Sequence, residues 1–178
     1  MTEKNGVRVI ELEWDGPSSV EQISTLFDAS DYGLYQIYGT HSVFGPDTLL
    51  YIGKAAQQFF GTRFSQHIGW FQNEPSDLRI YVGRLGGTQQ PTDDASWSEE
   101  IDCAEKLLIY SCSPPYNSQN INSIGEGKNT IVLNFGRRNR LPAVVSTLYT
   151  ESDFWKKLEK GWKLYVEATS STSPPGIM

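Results

Sequence analysis

Glu105 stands where a carboxylate is costly. The stretch from Ser96 to Tyr110 has a helical pattern. The neighbours of Glu105 at three and four positions are Ile101, Asp102, Leu108 and Ile109, three of them apolar. A carboxylate on an apolar stripe needs a cation or a metal ion if it is buried. At the edge of the stripe it can instead reach water. Arg63 and His67 lie four apart, on one face of a predicted helix, beside a stripe of Phe60, Phe64, Ile68 and Phe71. Two cations so placed repel unless an anion sits between them, and the guanidinium fork matches the oxygens of a phosphate. The plainer reading is an ordinary exposed pair.

Tyr35 and Tyr51 each belong to a glycine-bearing tripeptide, Gly33-Leu34-Tyr35 and Tyr51-Ile52-Gly53. Both tripeptides fall in predicted strands. With a pKa of about 10, only ~0.1% of a tyrosine is ionised at pH 7. Half-ionising it there takes roughly 3 units, about 4 kcal/mol. Either a nearby cation supplies part of that, or the neutral hydroxyl relays a proton. Strand tyrosines also serve simply as packing, and Tyr32, Tyr38 and Tyr81 are close by for comparison. Lys54 directly follows the second tripeptide, where it can reach an anion or sit exposed at a helix start. Asn117 follows Pro114-Pro115-Tyr116, which is turn chemistry.

Taken in order, Gly33-Leu34-Tyr35, Tyr51-Ile52-Gly53, Arg63, His67, Glu105 and Asn117 resemble the GIY-YIG nuclease family, whose members cut DNA phosphodiesters with a divalent metal. The resemblance covers about residues 32–118. It implies that Glu105 holds Mg²⁺ or Mn²⁺ and that Arg63 contacts the scissile phosphate. It implicates Tyr35 and Tyr51 in proton transfer, without assigning base and helper between them. His67 is similar to a histidine of the restriction-endonuclease branch, and Asn117 to a positioning asparagine. Leu34 replaces the family's isoleucine. Fifteen residues separate Tyr35 from Tyr51, more than the family pattern usually has, so an enlarged hairpin loop is expected at Gly39–Asp47.

The expected activity is that of a metal-dependent DNA endonuclease, restriction-type and sequence-specific. A structure-specific or repair nuclease shares the same core. So does a non-catalytic nucleic-acid-binding module built on a nuclease scaffold. A homodimer would let two sites cut two strands.

The elements that must position these residues read as an α+β domain, a small antiparallel sheet flanked by helices. One domain is expected over 1–168, with the core at 32–118, extensions at 1–31 and 119–168, and a disordered tail at 169–178. Val7–Trp14 alternates as a strand that Gly16-Pro17 should stop. A helix from Ser18 or Ser19 to Phe27 follows. Strands are expected at Tyr32–Tyr38, Leu49–Ile52, Leu78–Leu85 and Thr130–Phe135. A helix from Lys54 to Phe71 should break near Gly61. Ser96-Trp97-Ser98-Glu99 fits a capping box opening the helix of Glu105. A last helix is expected at Glu151–Val166.

The chain of 178 residues carries a net charge of −6, which opposes nucleic-acid binding at face value. The distribution softens this. Residues 127–178 hold eight bases and four acids, whereas residues 1–31 and 32–126 each sum to −5. Arg137, Arg138 and Arg140 are candidate contacts to the DNA backbone, as is Lys54; Lys156, Lys157, Lys160 and Lys163 add to the basic end. A solvated basic surface is the alternative. Base-reading residues are expected in the loops 39–47, 86–95 and 119–129 or in the basic region 128–163. No apolar run is long enough to span a membrane. The N-terminus lacks the apolar core of a secretory signal, and Cys103 and Cys112 are the only cysteines, so a cytoplasmic location is expected.

Overall fold

The computed structural model describes residues 2–4, 6–66, 77–86, 93–124 and 129–149. The chain divides into two compact units, 1–147 and 148–178, and the fold below is that of the first. Its elements in order are β1 (Thr2–Lys4), β2 (Val7–Ser18), α1 (Val20–Ile23), β3 (Gly33–His41), β4 (Gly45–Ala55), α2 (Phe60–Gln66), β5 (Arg79–Leu85), α3 (Asp94–Cys112), β6 (Thr130–Gly136) and β7 (Val144–Ser146). The strands form one sheet in the order β4-β3-β5-β2-β6-β7, with β1 also pairing β2. The class is α+β. The sheet is larger than expected, and it is mixed, because β6 runs parallel to β2 from Arg8–Thr130 to Trp14–Gly136. A parallel partner needs a long crossover, and everything between β2 and β6 serves as one. No helix among the described residues is long and apolar enough to cross a membrane.

Alternation along β3 decides which residues meet which helix. Leu34 and Tyr38 face a cluster with Ile52, Leu12, Trp14, Ile101, Ala104 and Leu108, under α3. Tyr35 and Ile37 face the opposite cluster with Ile23, Phe60, Phe64, Ile80 and Val82, under α1 and α2. Both faces of the sheet are covered, so β3 is buried at nearly every position and shows no polar alternation.

Several boundaries depart from the sequence pattern, each for a local reason. β2 continues through Gly16-Pro17 because the pairing with β5 shifts register between Asp15 and Ser18, and a bulge tolerates a proline without an N–H. α1 is capped by Ser19 as expected but ends at Ile23, where the Ser24 and Thr25 hydroxyls bond back to the carbonyls of Val20 and Gln22. The enlarged hairpin loop does not exist. β3 extends to His41 and β4 begins at Gly45, and two register shifts absorb the additional residues within the strands. β4 also runs past Lys54, which is a strand residue and not a helix start, because Lys54 and Ala55 pair with Leu34 and Gly33. Among the described residues the expected Lys54–Phe71 helix begins only at Phe60, with Gly61 inside α2 and its N–H donating to the Leu26 carbonyl, and its part beyond Gln66 lies outside the described residues. The cap of α3 is Asp93, not Ser96: its carboxylate accepts from the Ser96 N–H (2.9 Å) and hydroxyl (2.8 Å). An anion there also suits the positive end of the helix. The expected Glu151–Val166 helix and the 169–178 tail lie outside the described residues.

Candidate active site

The two tripeptides form neighbouring rungs of the β3–β4 ladder. Tyr35 pairs with Gly53, and Ile37 with Tyr51, so both tyrosines project from the same face. Their ring centroids are 6.1 Å apart. Tyr35 is also held edge-on by Phe64 of α2, at 4.7 Å. The glycines are steric requirements. A Cβ on Gly53 would lie 2.5 Å from Cζ and the hydroxyl oxygen of Tyr35 and 2.6 Å from Cε1 of Tyr51. A Cβ on Gly33 would collide with the Gly83 carbonyl oxygen, at a φ of +148° that few side chains tolerate.

Tyr35 is 1% exposed, whereas Tyr51 is half-buried. Arg63 lies beside both and opposes the upward shift of both their pKa values. The Tyr35 hydroxyl nevertheless makes no hydrogen bond of good geometry, and neither does the Arg63 Nε. Burial is the main force raising the Tyr35 pKa, with Tyr51 adding to it. Burial also raises that of Tyr51, with Glu105 adding. Both tyrosines therefore carry their protons at neutral pH. The environment favours a relay by the neutral hydroxyl over a standing phenolate base.

Glu105 is buried on α3, as its helical neighbours imply, 9% exposed. Burial raises its pKa, and Lys54 opposes the shift. The Lys54 ammonium sits 2.9 Å from Glu105 Oε2 and also pairs with Asp102, which Lys106 holds at 2.7 Å. For Lys54 itself, burial works downward, but Asp102 and Glu105 outweigh it and the pKa is raised. Glu105 thus already takes a cation. Among the described residues no group of three or more His, Cys, Asp or Glu side chains could cage a metal. A Mg²⁺ ion asks for less than a cage, since it keeps several waters and takes one or two carboxylates plus phosphate oxygens. Lys54 would have to yield Glu105, and its existing pair with Asp102 would hold it nearby.

Asn117 has both ends of its amide occupied. Its Oδ1 accepts from the Ile52 N–H (3.0 Å), and its Nδ2 donates to the Ile52 carbonyl (2.8 Å). β4 is the edge strand of the sheet, and the Asn117 side chain completes the pairing that a further strand would give. Its role here is to fix the middle residue of the second tripeptide.

A cleft of about 930 Å³ lies alongside, meeting the tyrosine–glutamate cluster at Lys54 and Arg63. Three cleft residues, Arg8, Asp102 and Lys106, were not singled out from the sequence. The Asp102–Lys106 spacing was visible as an i,i+4 pair, and Arg8 shares its strand face with Ile10 and Leu12. Arg137, Arg138 and Arg140 do not line the cleft. Arg137 donates to the Gly16 carbonyl (3.1 Å), Arg138 to the Leu141 carbonyl, and Arg140 pairs with Asp47 at 2.6 Å. His67 lies outside the described residues, as do Lys156, Lys157, Lys160 and Lys163. No protein-family model, curated protein or solved structure matches the chain.

Proposed function

We propose that the chain is a metal-dependent DNA endonuclease that hydrolyses phosphodiester bonds. The observation that carries the reading is the closure of Tyr35 and Tyr51 over the side-chain-free position of Gly53, with Arg63 and Glu105 near enough to act on the pKa values of both tyrosines. Residues far apart in sequence share one small site, two of them with buried polar atoms left unpaired. Unpaired buried groups are rare in a native fold, and they mark places where a ligand completes the bonding.

In this reading Arg63 turns its fork to the scissile phosphate, where a planar donor matches two oxygens at once. Lys54 releases Glu105, keeps Asp102 and turns its freed donor to a phosphate oxygen. A Mg²⁺ or Mn²⁺ ion held by Glu105 would supply further stabilisation of the charge developing on the phosphoryl oxygens. Tyr51, the more exposed tyrosine, hands on the proton of the attacking water, and Tyr35 backs it from the buried side. Asn117 keeps the strand that carries Tyr51 in register. Sequence-specific, restriction-type cutting by a dimer is the finer form of the proposal, with intracellular DNA as the substrate.

The test is cleavage of mixed plasmid and phage DNA with Mg²⁺, Mn²⁺ or EDTA, wild type beside Glu105→Ala and Arg63→Ala. Discrete metal-dependent fragments, lost in both variants, are expected. Nicking or smearing would redirect the reading to a structure-specific or non-specific nuclease. DNA left intact but bound by the folded protein would overturn the enzymatic reading in favour of a binding module.

A further inference from the structure

The cleft is walled by α3 on one side and by α2 and the 56–58 turn on the other. Four cationic side chains line it, Arg8, Lys54, Arg63 and Lys106, against two acids, Glu99 and Asp102. A net positive cleft on a chain of net charge −6 concentrates the attraction for anions in one place. Arg8 comes from β2, outside the stretch that carries the tyrosine and glutamate motifs. It is 2% exposed, Glu99 holds its terminal nitrogen at 2.6 Å, and its Nε has no hydrogen-bond partner. Arg8 thus brings a paired guanidinium to the cleft wall, with one buried donor still unsatisfied. The two acids fix the cations in position: Glu99 holds Arg8, and Asp102 holds Lys54 and Lys106.

The length of the cleft wall suits a polyanionic strand. Seven residues of α3, at 1.5 Å each, separate Glu99 from Lys106, about 10 Å along the cleft wall. That is about three nucleotide steps of one DNA strand at 3.4 Å axial rise. We propose that this cleft is the track for the strand flanking the scissile phosphate, with Arg8 and Lys106 each holding a backbone phosphate away from the cutting point. The proposal rests on the nuclease reading and extends it to the N-terminal strand. Sequence-independent contacts of this kind set register and affinity, not base choice.

The test is binding of a fluorescent duplex in EDTA, where no cutting occurs, across about 50–200 mM salt. Wild type is compared with Lys106→Gln, Arg8→Gln, Gln57→Glu and Gln57→Lys. Gln57 is an exposed cleft residue, so its variants change charge without touching the core. Removing one phosphate contact should flatten the log–log salt slope by about 0.9 and weaken binding several-fold. Gln57→Glu should weaken binding and Gln57→Lys should strengthen it. If wild type binds and cuts DNA but the Gln57 and Lys106 variants match it in affinity and slope, the track is overturned and the nuclease reading stands. If wild type neither binds nor cuts DNA, both fall together.

Discussion

Gly53→Ala puts a methyl group where the site has no room for one. The new Cβ would lie 2.5 Å from two atoms of Tyr35 and 2.6 Å from one of Tyr51. Carbon atoms prefer about 3.5–4.0 Å, so the rings must retreat by roughly 1 Å. Tyr35 has little freedom to do so, being 1% exposed and packed against Phe64. Overpacking of this kind costs about 1–3 kcal/mol. Losing a glycine from the unfolded chain offsets only about 0.4–1 kcal/mol. The clash wins, and urea unfolding should show a net loss of roughly 1–2 kcal/mol. A displacement of about 1 Å at the reacting groups should reduce the plasmid cleavage rate by about 100-fold. In a Tyr35→Leu background the two Tyr35 atoms are gone, so the stability penalty should shrink, giving a coupling of about 1–2 kcal/mol in a double-mutant cycle. Gly53→Ala with wild-type stability and rate, or a cycle with no coupling, would refute the steric reasoning.

Asn117→Ala leaves the N–H and C=O of Ile52 without partners at the sheet edge. A loss of about 2–4 kcal/mol is expected in urea titration, with weaker cleavage because the Tyr51 strand loosens. Glu105 holds its proton more tightly in the folded protein than in the unfolded chain, because burial raises its pKa above 4.5. Its favourable contribution to stability is therefore full below the unfolded value and fades as pH rises through the folded one. Glu105→Gln should keep or raise the melting temperature at neutral pH while abolishing cleavage. In EDTA, the Glu105 carboxyl of the folded protein should titrate above 4.5, and Lys54→Met should move it higher, since Lys54 holds that pKa down. Asp93→Ala should lower the denaturation midpoint more than Ser96→Ala does at neutral pH. Bonds from Ser96 depress the Asp93 pKa, so this difference should vanish as the pH falls through the folded value.

The sequence by itself determined the local features. Period-two alternation marks β2 and β5, and the helical stripe places Glu105 among apolar neighbours, because both signals need only near neighbours. Whether Glu105 is buried or reaches water does not follow from them, and the fold buries it. The hairpin expected at Gly39–Asp47 likewise predicts that the strands of the two tyrosine tripeptides pair, and β3 and β4 do. What the pattern missed depended on partners far away. Asn117 reads as turn chemistry until Ile52, 65 residues earlier, takes both ends of its amide. Lys54 reads as a helix start until the β3 ladder extends over it and points its ammonium at Asp102, 48 residues on. Arg137 and Arg140 are exposed, as a basic surface requires, but their partners, the Gly16 carbonyl and Asp47, lie far off in sequence and could not be read from it. Arg8 looks like an interruption of an apolar strand face until Glu99 holds it at the cleft. Charge and hydrogen bonding depend on direction and distance, which only the tertiary structure supplies. Hydrophobic periodicity depends on spacing along the chain, which the sequence carries outright.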